Sequence, residues 1–145
     1  MYFAVLVSTL FLVVASLGPG LFETSFSLKT WQHQVFEIIC HQDAARSFDY
    51  NGAQMAVCSR CLGIYSLLFF GWLLLPLFGI FSSLLNIKEK NWLIIAIILN
   101  LMDVIGNYFG YWTNSLHSRL IMGGFLGLAI AVLLANEFFT INKSE

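Results

Sequence analysis

Two of the three cysteines in this 145-residue chain, Cys58 and Cys61, stand as C-x2-C within QMAVCSRCLGIY, and the third, Cys40, is followed directly by His41. Thiolate sulfur and imidazole nitrogen are ligands that a borderline-soft ion such as zinc takes, and C-x2-C lets one turn of chain supply two tetrahedral positions. Cys40, His41, Cys58 and Cys61 therefore make a candidate Cys3His metal site, with zinc as the expected ion. Neighbours on a regular helix point about 100° apart, so joint ligation by Cys40 and His41 requires any helix before them to end there. The same residues support a second chemistry. A C-x2-C at a helix N-terminus, with Arg60 inside it, has a lowered thiol pKa, because cation and helix dipole both favour thiolate. Cys58 and Cys61 would then cycle between dithiol and disulfide, passing electrons to Cys40 or to a quinone in the membrane. The plain alternative makes Cys40 a small buried hydrophobe and His41 an ordinary hydrogen-bonding residue.

A second group of polar residues lies inside apolar runs. Asn100, Asp103 and Asn107 recur at steps of three and four in NWLIIAIILNLMDVIGNYFGYW and so share one helical face. A carboxylate near the middle of a bilayer costs about 2.5 to 3.5 kcal/mol on insertion, so Asp103 must face protein or water and hold a partner. In TNSLHSRLIMGGFLGLAI, Arg119, Gly123 and Gly127 repeat at four-residue steps. Small residues at that spacing let a second helix backbone come close, and the third and fourth apolar runs are the expected pair. Asp103 sits about 12 Å along the axis from its helix end, within partial reach of a long side chain, so Arg119 is its expected partner. Arg46, Arg60 and Tyr65 above, with Asp103, Asn107, Asn114 and Arg119 below, would line a polar pocket. Guanidinium groups pair bidentately with carboxylate and phosphate, so an anionic small molecule or lipid headgroup is the expected ligand. His33 and His117 read as interfacial and turn residues.

The elements that must position these groups are helices in lipid. The chain is 59% hydrophobic and 10% charged, where soluble domains carry about 25% charged residues. Its net charge of -1 offers no basic stripe for nucleic acid. Four apolar runs, 2–17, 62–85, 92–112 and 119–139, are candidate spans. A helix needs about 20 mostly apolar residues to cross the hydrocarbon core with its backbone satisfied. The first run is the shortest, yet no Lys or Arg precedes it and no Ala-x-Ala site follows, so it reads as a retained helix rather than a signal peptide. The loop 18–61 holds all three cysteines. Within it, Leu28 to Gln42 reads as an amphipathic interfacial helix, with Trp31, Val35, Ile38 and Ile39 on one face and His33, Glu37 and His41 on another. Asn51-Gly52 signals a turn in an irregular loop or small hairpin that returns the chain to Cys58. Lys88, Lys90 and Lys143 fall on one side of the membrane and Lys29, Arg46, Arg60 and Arg119 on the other. With the arginines held in a site, the free lysines place both termini in the cytoplasm and the cysteine loop outside.

Cys-His-Gln at 40–42, Arg-Ser-Phe at 46–48, VCSRCLGIY at 57–65, Asp103, and TNSLHSRLIMGGFLG with Asn114, Arg119, Gly123 and Gly127 together resemble family 2085 of the domains of unknown function. The resemblance runs from Cys40 to Gly127, with Ala56, Leu62 and Ser66 standing where that family usually has proline, a small hydroxyl residue and glycine. It implies a small membrane protein of a bacterial or archaeal cell and supplies no activity. The expectation is an all-α integral membrane protein, a single domain over 1–145 with four spans and one interfacial helix, in which a metal pins the cysteine loop over the polar pocket. A thiol-disulfide protein and a small transporter or assembly factor are the competing classes.

Overall fold

The computed structural model of the chain describes residues 2–18, 31–74 and 89–142, with 89 and 136–142 described in backbone only. It is helical: α1 (Tyr2–Ser16), α2 (Trp31–Glu37), α3 (Ser59–Leu73), α4 (Glu89–Tyr108) and α5 (Leu116–Asn142). One 3-10 turn (Ala44–Arg46) and a two-stranded ribbon, β1 (Asp49–Tyr50) with β2 (Ala53–Gln54), lie between α2 and α3. The stretches Lys90–Tyr108 and Leu116–Ala135 are long and apolar enough to cross a membrane. Helices α1 and α3 are apolar but have 15 residues each, a rise of about 22 Å. The rest of the expected second span, 75–85, lies outside the described residues.

Helix ends follow local chemistry. Helix α4 stops at Tyr108, four residues before the expected limit, because Gly110 takes a left-handed conformation (φ 74°). Its N–H donates to the Asn107 carbonyl at 3.3 Å while the Tyr111 N–H donates to Gly106 at 2.9 Å, a glycine-closed helix terminus. The next residue but one, Trp112, lays its ring where a side chain on Gly106 would sit. Helix α5 starts earlier than expected because the Ser115 hydroxyl accepts the Ser118 N–H at 3.1 Å, capping the first turn. The expected helix over 28–42 is confined to Trp31–Glu37 among the described residues. Its packed side carries Gln32 and Phe36, whereas Trp31, Val35, Ile38 and Ile39 face outward. Trp31 stacks on Phe11 of α1, with ring centroids 6.3 Å apart.

The core is a seam between α3 and α5, with α4 on another side of α5 and α1 against α3. A side chain on Gly123 would run into the Arg60 carbonyl, one on Gly127 into Ile64, and one on Gly63 into Leu120 and Gly124. The small-residue face of the last helix therefore receives α3, not the third span as its spacing alone suggested. The two runs are not sequence neighbours, but α3 brings Gly63 and Gly71 against α5, which brings Gly123, Gly124 and Gly127, and close backbone approach needs small residues on both sides. At the far end Tyr2 and Trp72 exchange hydrogen bonds, the Tyr2 hydroxyl donating to the Trp72 carbonyl and Trp72 Nε1 to the Tyr2 carbonyl, each at 3.2 Å.

Alanine at Gly123 or Gly127 should lower stability by about 1–3 kcal/mol, because the obstacle is backbone that cannot give way. At Gly124 the added methyl meets chiefly the movable Leu67 side chain, and alanine there should cost well under half as much. Thermal unfolding of the three variants in one detergent checks the contrast.

Candidate functional site

The cysteine loop is built by a sequence of local stops. Helix α2 ends as the N–H groups of Ile39 and Cys40 both donate to the Phe36 carbonyl, at 3.0 and 2.8 Å. The chain is then non-helical, and Gln42 takes a positive φ of 49°. The amide of Gln42 turns back to donate to the His33 carbonyl at 2.6 Å, and the Gln54 amide donates to the Gln42 carbonyl at 2.8 Å. These two clamps fix the 40–42 corner against α2 and against the ribbon. Asp43 accepts the Ala45 N–H at 3.0 Å and pairs with exposed Arg46 at 3.1 Å. The expected hairpin is present, with Asp49 opposite Gln54 and Tyr50 opposite Ala53. Positive φ at both Asn51 (51°) and Gly52 (77°) is what a two-residue hairpin turn of this hand requires. The return segment, Met55 to Val57, is buried and delivers Cys58 to the start of α3. Gly18 at the end of α1 touches this segment so closely that a side chain there would strike the Ala56 nitrogen.

The result is that the sulfur atoms of Cys40, Cys58 and Cys61 all lie within 4.8 Å of one another. Cys58 and Cys61 sulfurs are 3.4 Å apart, and the Cys58 N–H donates to Cys40 Sγ at 3.2 Å. Cys40 is buried, and Phe36, Met55, Ala56, Val57 and Leu62 surround the group, with Tyr65 packed at its edge. The thiol of Cys58 is lowered from 9.0 to about 5, chiefly by its hydrogen bond with Cys61, against burial that acts in the opposite direction. Tetrahedral zinc with sulfur at about 2.3 Å needs sulfurs about 3.8 Å apart, so small side-chain rotations would bring these three onto an ion. His41 is not among the converging ligands. It is exposed while Cys40 is buried: the chain after α2 is non-helical, and the corner closed by Gln42 sends the two neighbouring side chains to different surroundings. Of the expected Cys3His set, the structure brings the three thiols together and leaves His41 outside the group.

The polar residues form a second cluster, arranged differently from the expectation. Arg60, between the two cysteines of C-x2-C, passes beside Gly123 and donates through Nη2 to Oδ2 of Asp103. Asn114 Nδ2 donates to the same oxygen at 2.8 Å, and the Asn114 N–H donates to Asn107 Oδ1 at 3.1 Å. Asp103 is buried, as is Asn100, whose amide donates to the carbonyls of Ala96 and Met122, both at 2.9 Å. The partner of Asp103 is therefore Arg60 rather than Arg119. The expected pairing compared only the third and fourth runs, whereas the seam sets α3 alongside α5 and brings Arg60 across it. Arg46 stays on the exposed loop, and Tyr65 packs with Phe36 at 5.9 Å between centroids. His117 lies against Phe48, rings 5.6 Å apart. Arg46 and Arg60 are thus each paired with a carboxylate, Asp43 and Asp103, and do not meet as free cations.

Residues 40–133 match the family described as Predicted membrane protein (DUF2085). The chain belongs to this family. An uncharacterised protein of Methanocaldococcus jannaschii is 33% identical over 107 residues, which are 74% of this chain and 68% of that relative. No solved structure matches the chain. The DUF2085 match opens at Cys40, so it contains the three thiols, the Arg60–Asp103 pair and the glycine seam, while α1 and α2 precede it.

Gln42, Gln54 and Ser115 went unread as positioning residues in the sequence of this DUF2085 protein. Gln42 stood within the Cys-His-Gln block, but its clamp exists only because the backbone reverses there. Ser115 carried a legible signal, a hydroxyl residue directly before an apolar helical run.

Proposed function

We propose that this DUF2085 member is a multi-pass membrane protein that binds a thiophilic divalent ion, zinc first, through Cys40, Cys58 and Cys61. The observation that carries the reading is the approach of three sulfurs from two separated segments to within 4.8 Å. The lowered Cys58 thiol favours the deprotonated form that a metal takes. Three protein ligands leave the fourth position to an exchangeable group, the arrangement of reactive rather than closed zinc sites. The ion would supply Lewis acidity there. The chain's own residues hold the corner 40–42, present the thiols at the foot of α3 and exclude water on the side of Met55 to Val57. Four crossings, by α1, α3, α4 and α5, are part of the same reading. Its support is the outer face of α4, where Ile94, Ile98, Leu101, Met102 and Ile105 are exposed apolar residues that lipid would cover. Termini in the cytoplasm and the thiols outside follow from the lysine distribution.

A dithiol reading has its own observation, the contact of Cys58 with Cys61 at a helix start, where a thiolate is favoured. One experiment separates the two. Protein purified in detergent should hold about one zinc per chain, released by chelator together with the appearance of three titratable thiols. Absence of metal, with a thiol count that rises by two on reduction, would establish the exchanger instead.

A further inference from the structure

Between α4 and the start of α5 lies a cleft of about 360 Å3, lined by Leu99, Met102, Asp103, Thr113, Asn114 and Ser118 together with the Trp112 and Met122 side chains. Met102 and Trp112 are 58% and 47% exposed, so the cleft opens sideways along α4, where the proposed bilayer would lie. Its floor is polar. Both hydrogen bonds to the Asp103 carboxylate arrive at Oδ2, from Arg60 and Asn114, and Oδ1 takes no partner among the described residues. Thr113 and Ser118 also line the cleft, and no basic residue is among the lining.

We infer that this cleft binds an uncharged, hydroxyl-bearing amphiphile drawn from the membrane, its hydroxyl donating to Asp103 Oδ1 and its apolar body lying against Leu99, Met102, Trp112 and Met122. Charge decides against the alternatives. The positive charge of Arg60 is already matched by Asp103, so an anionic head would meet a carboxylate oxygen with no free cation lining the cleft. A cationic head would add a second positive charge to a balanced buried pair. A neutral donor satisfies the open oxygen at no cost in charge. The volume is at the small end for ligand sites, room for one chain or one ring. The inference rests on the membrane reading of α4 and α5 and not on the thiols.

The test uses wild-type protein in phosphatidylcholine nanodiscs with a diazirine-bearing hexadecanol, mapping photolabelled peptides by mass spectrometry. Labelling within 99–122 should saturate, and unlabelled hexadecanol should compete at least about tenfold better than hexadecyl sulfate or hexadecyltrimethylammonium, the worth of one buried hydrogen bond. Competition by dioleoylglycerol as strong as by hexadecanol would name a bilayer lipid as the source; competition by hexadecanol alone would name a single-chain or ring alcohol. Met122→Trp, which fills the cleft, should abolish the saturable component. Labelling that rises in proportion to probe without competition, or competition led by the sulfate, overturns the inference. Resistance of the protein to alkaline extraction from membranes is read separately, so failure of the cleft is distinct from failure of the membrane reading.

Discussion

Serine at Cys40, Cys58 or Cys61 should reduce bound zinc to less than about a tenth of the wild-type content after dialysis against micromolar chelator, while His41→Ala leaves it unchanged. The apparent affinity of four-ligand structural zinc sites is about 10–16 kcal/mol, so each ligand is worth roughly 3 kcal/mol, on the order of a hundredfold in binding. A hydroxyl is a poor substitute for thiolate toward this ion. The three cysteines should differ in a second respect. Cys40 is buried among Phe36, Met55 and Val57 and accepts the Cys58 N–H, so its replacement also loosens the corner and should raise alkylation of the two remaining thiols. His41 is exposed, and its imidazole has nothing to lose. Equal metal loss in His41→Ala and the cysteine variants would mean that the chain after α2 turns over on binding, and that the three-thiol reading is wrong. Elemental analysis beside thiol titration reads all four variants.

Breaking the Arg60–Asp103 pair one side at a time should have the largest effect on stability. Asp103→Leu strands a guanidinium whose Nε already lacks a partner among the described residues, and Arg60→Met leaves a buried carboxylate with only Asn114 among them. Removing one member of a buried pair costs about 3–5 kcal/mol, since the other charge stays desolvated. Arg60 is 25% exposed against 7% for Asp103, so the variant that keeps the carboxylate should be the worse of the two. The double variant Arg60→Met with Asp103→Leu should recover most of the loss, within about 1–2 kcal/mol of wild type, because apolar replacements of both partners carry no buried charge. Denaturant unfolding in detergent gives the cycle. A double variant no more stable than either single one would show that the pair is not the unit, and that Asn114 or Asn107 carries the cluster. Zinc content in the double variant should stay near wild type, as the thiols do not depend on the ion pair.

How much of this was legible in the chain differs by element. Several local signals were legible where the responsible atoms are neighbours in sequence, although the Gly110 stop and the Ser115 cap were missed. Asn51-Gly52 announced the hairpin, and the polar stripe Asn100, Asp103, Asn107 announced the face of α4 that turns inward, with Asn100 and Asp103 both buried. Convergence of Cys40 with C-x2-C was readable because few other groups in the loop could serve one another. What failed was whatever depends on which helix meets which. Gly123 and Gly127 state that something comes close without naming it, and only the matching glycines of α3 decide the partner. Once α3 lies there, Arg60 rather than Arg119 reaches Asp103. The loss of His41 from the thiol group has a different origin. The end of α2 was foreseen as a condition for joint ligation, but the corner that follows, with Gln42 at positive φ, buries Cys40 and leaves His41 exposed.

The glycine seam also limits how the molecule can respond to a ligand. Where Gly63, Gly123 and Gly127 let carbonyls nest against facing Cα atoms, the two helices mesh like rack and pinion teeth. Sliding one along the other by a single residue would drive a branched side chain into backbone, so the next admissible position lies about four residues, or roughly 6 Å, away. The floor beneath Cys58 and Cys61 is therefore stationary, and any rearrangement that follows uptake or release of an ion at the sulfurs must be taken up by the corner at Cys40 to Gln42.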